Sequence, residues 1–306
     1  MFPAPAEIEA KVFTRMPDSF RRRGQSRPWL EFHLRGAERD SLLEGPAFDR
    51  QGNLYVVDIP YGRIFRISPA RHWTLVAEYE GEPNGLKIHR DGRIFIADYR
   101  HGIMLLDPAT GRVTPHVVRG VIEPFKGVND LVFAGNGDLY FTDQGLTGLQ
   151  DPSGRLYRLR TSGQLDTVLD CIPSPNGLVL SFDETSIFVN VTRTNSVWRV
   201  PLHADGTAYK VGEFIRMSGG GGPDGLAMDE QGNLAVAHLG LGTVWLFSRL
   251  GEPLLRIRSW AGLLTTNVAY GGPGRRTLYI TESETGTILT AKLDTPGRLM
   301  YSHAQR

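Results

Sequence analysis

One phrase returns along this chain, and its return restricts the fold more than any other feature. "LEGPAFDRQGNLYVVD", "GVNDLVFAGNGDLYFTD", "SPNGLVLSFDETSIFVN" and "GGPDGLAMDEQGNLAVA" share a layout. A polar residue opens a short apolar run, a Gly/Asp/Asn turn follows, and a second alternating run comes next. Stacked on the opening residue, the copies begin at Glu44, Asn84, Asn129, Asn176, Asp224 and Thr266. The period is about forty-five residues, within the range of repeat architectures. Alternation at period two with β-branched and aromatic residues, broken by Gly-Asn or Asp-Gly, predicts antiparallel hairpins. Third and fourth strands follow in most copies, as in "GRIFRISP" and "WTLVAEY".

Six four-stranded units of this period predict an all-β fold, a six-bladed β-propeller with antiparallel blades around a central channel. A blade buries its faces only against its neighbours, so residues 1–306 are expected to form a single domain. Blades start near 44, 84, 129, 176, 224 and 266, and residues 1–40 form an N-terminal arm. An open ring would leave sheet edges exposed, and the segment around "EAKVFTR" is expected to close it by adding an outer strand to the last blade.

In such a ring the first strand of each blade lines the channel, so the six opening residues converge at one mouth. The second strand runs back and ends there too, at Asp58, Asp98, Asp143, Val191, His238 and Glu282. Glu44, Asn129, Asn176 and Asp224 together offer two carboxylates and two amide carbonyls. All-oxygen ligation with two negative charges suits a hard divalent ion rather than a thiolate zinc site. The plainer reading is that Asn-Gly and Asp-Gly are merely turn residues; Glu-Gly-Pro in the first copy argues against it.

These phrases, in this order and spacing, resemble the gluconolactonase/regucalcin (senescence marker protein) family over nearly the whole chain. The resemblance implies a six-bladed propeller lactonase with one divalent metal in its channel. Calcium is the foremost candidate, with Mg2+, Mn2+, Zn2+ or Fe2+ as alternatives. By position, Glu44, Asn176 and Asp224 match the family's metal ligands, and Asn129 matches a residue that holds metal or substrate. Asp224 also matches the proposed general base, although direct attack by its carboxylate is a second route. One departure bears on substrate. In sugar-lactone members an arginine stands two residues before the Asn129 position, and here that place holds Gly127. A short alkyl γ- or δ-lactone is therefore as reasonable a substrate as an aldonolactone.

Further substrate contacts are expected from Asn84 on the ring, from His238 at the end of its strand, and from Phe125 and Tyr99 in nearby loops. Tyr61 and His101 lie in similar loops, and a structural role for His238 is the competing reading. Asp98 and Asp143 read as groups that orient ligands rather than react. The same metal site would also serve a phosphotriesterase, and a non-enzymatic propeller that binds a protein on its rim is the alternative from another class.

Other chemistries find little support. A net charge of +1 gives no reason to expect nucleic acid or an anionic membrane as partner. No run approaches the roughly 18 apolar residues of a membrane span. The start, "MFPAPAEIEAKVF", lacks the basic and apolar segments of a signal peptide. Cys171 is the only cysteine, which fits a reducing, cytoplasmic setting; it reads as a small buried hydrophobe. The sequence contains no G-x-S-x-G, H-E-x-x-H or G-x-x-x-x-G-K-[ST] motif.

Overall fold

The computed structural model describes residues 2–304. Six antiparallel sheets form a six-bladed propeller. The innermost strands are Leu43–Phe48, Pro83–Ile88, Val128–Phe133, Pro175–Leu180, Gly222–Met228 and Thr265–Gly271. Each touches the innermost strand of the next blade, and the sixth returns to the first. The apolar alternation of each strand fills the wedge between blades. Val57 and Ile64 of the first blade, for example, share one cluster with Leu86, Ile96 and Met104 of the second. Burying one such side chain stabilises by about 1.5–3 kcal/mol, and a blade obtains this only with its neighbours in place.

The ring closes with strands from both ends of the chain. Lys11–Arg15 pairs antiparallel with Thr287–Lys292 as the outer strand of the sixth blade. Next to it, Ala6–Glu9 pairs parallel with Pro253–Arg258 and gives the fifth blade a fifth strand. That addition is not visible in the repeat. Nor is the one α-helix among the described residues, Pro28–Leu34, which starts on a proline and buries Trp29 and Leu30. Pro suits a first helical position because its missing N–H would be unbonded there anyway. At two turns the helix is too short to show a period. Cys171, expected inside, is exposed on the outer strand Leu165–Ile172.

The far end of the channel is covered by the C-terminal tail. Arg298 donates to the carbonyls of Leu180 and Ser181, and Ser302 accepts from Arg50 at 2.6 Å. Among the described residues no helix is long and apolar enough to cross a membrane.

At the near end, the acids that finish the second strands have a shared task. Asp58 accepts from the backbone N–H of Leu42 at 2.7 Å, Asp98 from that of Glu82 at 2.9 Å, and Asp143 from that of Gly127 at 2.8 Å. Each donor lies two residues before a channel-lining residue: Glu44, Asn84 and Asn129. The acids therefore staple the chain as it enters the channel wall. Asp98 also accepts from Arg100 N, His101 N and the Tyr79 hydroxyl. Asp98→Ala strands all four donors in a buried place, so a loss of about 3 kcal/mol is expected. Urea unfolding measures it, and a loss under about 1 kcal/mol would remove the staple from the account of the fold.

Candidate active site

Every blade breaks register at the same point. The first and second strands shift between Glu44 and Ala47, Pro83 and Gly85, Val128 and Leu131, Pro175 and Leu178, Pro223 and Leu226, and Thr265 and Asn267. A bulge releases a residue from the ladder and re-aims its side chain; in five blades the rotating polar residue is released, while in the first Glu44 stays opposite Val57 and the break follows it, at Gly45 and Pro46. The glycine that follows it has a steric cause. A Cβ on Gly85 would lie 2.7 Å from the Asn129 carbonyl oxygen, and one on Gly177 would lie 2.6 Å from that of Asp224. Adjacent strands thus approach so closely that a side chain between them is excluded.

The ring so formed is buried and acidic. Glu44 and Asp224 are 4% and 8% exposed, and Asp130, the residue after Asn129, is 3% exposed. Glu44 Oε2 accepts from Asn267 Nδ2 at 2.7 Å, and Lys87 Nζ lies 3.5 Å from Asp130 Oδ1. Three carboxylates against one lysine leave a charge of −2 when all are ionised. Burial, then the nearby Asp224 and Asp130 charges, hold the Glu44 carboxyl well above the usual range. Burial pushes Asp224 up to about 7; Asn176 and the Arg193 charge oppose this, while Asp130 adds to it.

The amides complete the set. Asn129 Nδ2 donates to Gln144 Oε1 at 2.8 Å, and Asn176 Nδ2 to Thr192 Oγ1 at 3.2 Å. With the Asn129 nitrogen on Gln144 and the Asn176 nitrogen shared between Thr192 and the Asp224 carboxylate, both carbonyl oxygens remain available as acceptors. Asn84 stands on the ring, 8% exposed. Thr266 instead turns its hydroxyl to Leu43 O and Ser283. Among the described residues no three carboxylate, imidazole or thiol groups gather into one ligand sphere. A cation here would draw on amide oxygens as well as on Glu44 and Asp224. That donor set, with its deficit of two charges, fits a hard divalent ion.

Two expected substrate contacts lie elsewhere. His238 is 1% exposed. Its Nε2 faces the Gly219 carbonyl at 2.9 Å, and its Nδ1 accepts from the Trp245 indole at 3.2 Å. Both nitrogens are occupied, so the ring holds the glycine loop against the fifth blade. Phe125 packs edge-on against Phe141 and Tyr157, inside the cluster between the second and third blades. Tyr61 is buried, its hydroxyl bonded to the Arg39 carbonyl, and His101 Nε2 lies 2.7 Å from the Glu80 carbonyl. Tyr99 does reach the mouth. A Cβ on Gly127 would meet its ring at 2.4 Å, so Tyr99 occupies the space a side chain at 127 would need. An aromatic face thus stands where the family's sugar-binding members carry an arginine.

Asp130, Lys87 and Asn267 were not among the expected site residues, though a signal existed. The position after the ring residue is glycine in four copies, Gly45, Gly85, Gly177 and Gly225, but Asp130 and Asn267 in the other two.

Residues 42–284 match the SMP-30/gluconolactonase/LRE-like region. The chain belongs to that family. Among its relatives is lactonase drp35 of Staphylococcus aureus (strain MW2), 33% identical over an alignment of 248 residues that covers 75% of this chain and 72% of the relative. Lactonase drp35 of Staphylococcus saprophyticus is 33% identical over 240 residues, with the same coverage of 75% and 72%. Solved structures share the family's fold. A calcium-binding regucalcin from Agrobacterium tumefaciens superposes with a TM-score of 0.79 at 23% identity, covering 99% of this chain and 100% of that one. A gluconolactonase from Xanthomonas campestris gives 0.74 at 23% identity, covering 97% and 100%.

The raised acids make metal-free stability depend on pH. Asp224 binds its proton up to about pH 7 in the folded chain, but only to about pH 3.9 when unfolded. Its contribution is whole below the unfolded value and is lost as pH rises through the folded one. With chelator present, the midpoint of thermal unfolding is expected to fall between pH 5 and 8. Asp224→Asn should remove most of that fall, on the order of 3 kcal/mol. A wild-type midpoint that is flat over this interval would contradict the crowded-carboxylate account.

Proposed function

We propose that this protein is a divalent-metal-dependent hydrolase that opens small lactones. The observation carrying the reading is the buried ring of Glu44, Asp130 and Asp224, in which Lys87 is the one ion-pair partner among the described residues, flanked by the oxygens of Asn129 and Asn176. The named activity of the drp35 relatives supports the substrate class. Glu44, Asn176, Asp224 and Asn129 would hold the ion, and the calcium-binding neighbour favours calcium. When bound, a divalent ion supplies positive charge against the oxygen of a lactone carbonyl.

The chain's own groups carry the proton. Asp224 Oδ takes one from water as the water oxygen bonds to the carbonyl carbon. The ring C–O bond then breaks, the ring oxygen regains a proton, and a hydroxy-carboxylate leaves. Asn84 and Tyr99 wall the mouth. Because Tyr99 displaces any side chain at 127, short alkyl γ- and δ-lactones suit the wall at least as well as aldonolactones. We place the enzyme in the cytoplasm, which its single cysteine fits.

The test is a pH-indicator assay of metal-stripped protein on γ-, δ- and aldonolactones, with each divalent ion restored in turn. Calcium is expected to restore turnover and to raise the unfolding midpoint at pH 8. Asp224→Asn should lower kcat by about 10²–10⁴-fold, while its metal-free unfolding midpoint at pH 8 is no lower than that of the wild type. Asp130→Asn, assayed beside it, separates the proton acceptor from its neighbour. Turnover of an organophosphate triester without any lactone would replace this reading, and wild-type rates from Asp224→Asn would end its role.

A further inference from the structure

The mouth above the ring is spanned by two groups that the hydrolytic mechanism does not use. Arg193 sits on a single 3₁₀ turn, Thr192–Thr194, directly after the second strand of the fourth blade. The turn is firmly held. Thr192 Oγ1 donates to Pro223 O at 2.8 Å and accepts from Asn176, Thr194 Oγ1 donates to Val191 O, and Asn195 Nδ2 donates to Gly219 O at 2.7 Å. The arginine thus projects from a rigid base whose neighbours contact Asn176 and the residue before Asp224. It is exposed, and among the described residues its guanidinium makes no ion pair or hydrogen bond.

From the second-blade side comes the helix Pro28–Leu34. Its His33 stacks on Trp29 with centroids 4.5 Å apart and meets Tyr99 edge-on at 4.9 Å. Tyr99 in turn covers Gly127, two residues before Asn129, so His33 roofs that side of the ring. Neither ring nitrogen of His33 has a hydrogen-bond partner among the described residues, and the Trp29 indole N–H is buried without one. Burial first, and the Arg193 charge second, lower the His33 pKa to about 4. The imidazole is therefore neutral near pH 7, with one N–H to donate. Arg193 thus stands on the fourth-blade side of the mouth, next to the Thr192 that touches Asn176 and Pro223, and His33 on the second-blade side, against the Tyr99 that covers Gly127.

With the ring's charge offset by Lys87 and a divalent ion, Arg193 presents a guanidinium with no bonded carboxylate at the entrance, and the nearest acids to Tyr99 are Glu82 and Asp143. We propose that Arg193 and His33 form an anion subsite above the ring, and that the lactone opened here carries a carboxylate on its ring or short side chain. The proposal rests on the lactone-hydrolase reading for the word lactone; the subsite itself does not. An exposed guanidinium paired with a carboxylate, helped by a neutral N–H donor on the partly buried His33, discriminates against an uncharged isostere. Tyr99 supplies a flat apolar wall for the ring carbons.

Two measurements test it. The first compares kcat/KM for γ-butyrolactone bearing a γ-carboxylate with that for its primary carboxamide. A preference of about ten- to hundredfold for the carboxylate is expected, seen mainly in KM, and shrinking as salt is raised. In Arg193→Gln the ratio should fall toward one, whatever happens to the absolute rates, and Arg193→Lys should retain part of it. His33→Asn should keep more of the ratio than His33→Phe. A wild-type ratio near one, or a ratio unchanged in Arg193→Gln, overturns the proposal.

The second measurement needs no turnover: calorimetric titration of calcium-loaded protein with cyclopentanecarboxylate, and with cyclopentanecarboxamide as control. Saturable binding of the carboxylate alone, weakened at least tenfold by Arg193→Gln, supports the subsite even if no lactone is opened. Equal binding of both compounds, or no effect of the substitution, overturns it. Hydrolysis of neutral lactones with no carboxylate preference would sink the subsite and leave the lactonase reading standing.

Discussion

Six strand-starts meet at one neck so narrow that most of them can be followed only by glycine. From that approach the rest follows. The backbone must leave the ladder to make the turn inward, which is why the register breaks at the same place in every blade. The released side chains have nowhere to point but into the channel. Because water is largely excluded there, carboxylates brought together raise one another's affinity for protons. Affinity for a cation has the same origin. In the proposed metal-loaded enzyme an ion would replace the protons, and the energy that crowding costs the metal-free fold would become binding energy.

Acids at this end of the propeller meet two different fates. Asp58, Asp98 and Asp143 are as buried as Glu44 or Asp224, yet each accepts backbone N–H groups from the chain entering the channel wall. Asp58 also pairs with the buried Arg63. Donors that converge on a carboxylate consume its acceptor capacity and turn it into a structural fastening. Both donors to Glu44, Gly45 N–H and Asn267 Nδ2, fall on Oε2 and leave Oε1 open, whereas each fastening acid has both oxygens engaged. Residue type does not separate the two groups; an oxygen left free does. The fastenings in turn hold the entry to the ring within narrow limits, which is what positioning a reacting water requires.

The parts of the site that could be read beforehand are those that belong to the repeat. Glu44, Asn129, Asn176 and Asp224 were found because equal backbone positions recur and only the side chains vary. His238 sits at an equivalent position too, yet Trp245 reaches it from the next strand and the Gly219 carbonyl from a loop, so its direction depended on partners outside the repeat unit. Phe125 lies in a loop where the repeat has no register, and the hydrophobic wedge between blades claimed it. Asp130 and Asn267 were visible as exceptions to glycine, but what each meets, Lys87 for one and Glu44 for the other, lies on a different blade. The helix bearing His33 had too few turns to show a period and no counterpart in the other copies.

The order of residues alone determined that this chain forms six hairpin-built units closed into a ring, and which position in each unit faces inward. Period-two alternation and a fixed repeat length are local properties, written within about fifty residues at a time. Only the closed tertiary structure decided which inward groups remain open to a ligand. Hydrogen-bond saturation, burial and charge neutralisation at the mouth are settled between residues more than a hundred positions apart, as when Asn267 comes within 3.5 Å of Asp130. Ring closure sets those distances, and no single repeat contains them.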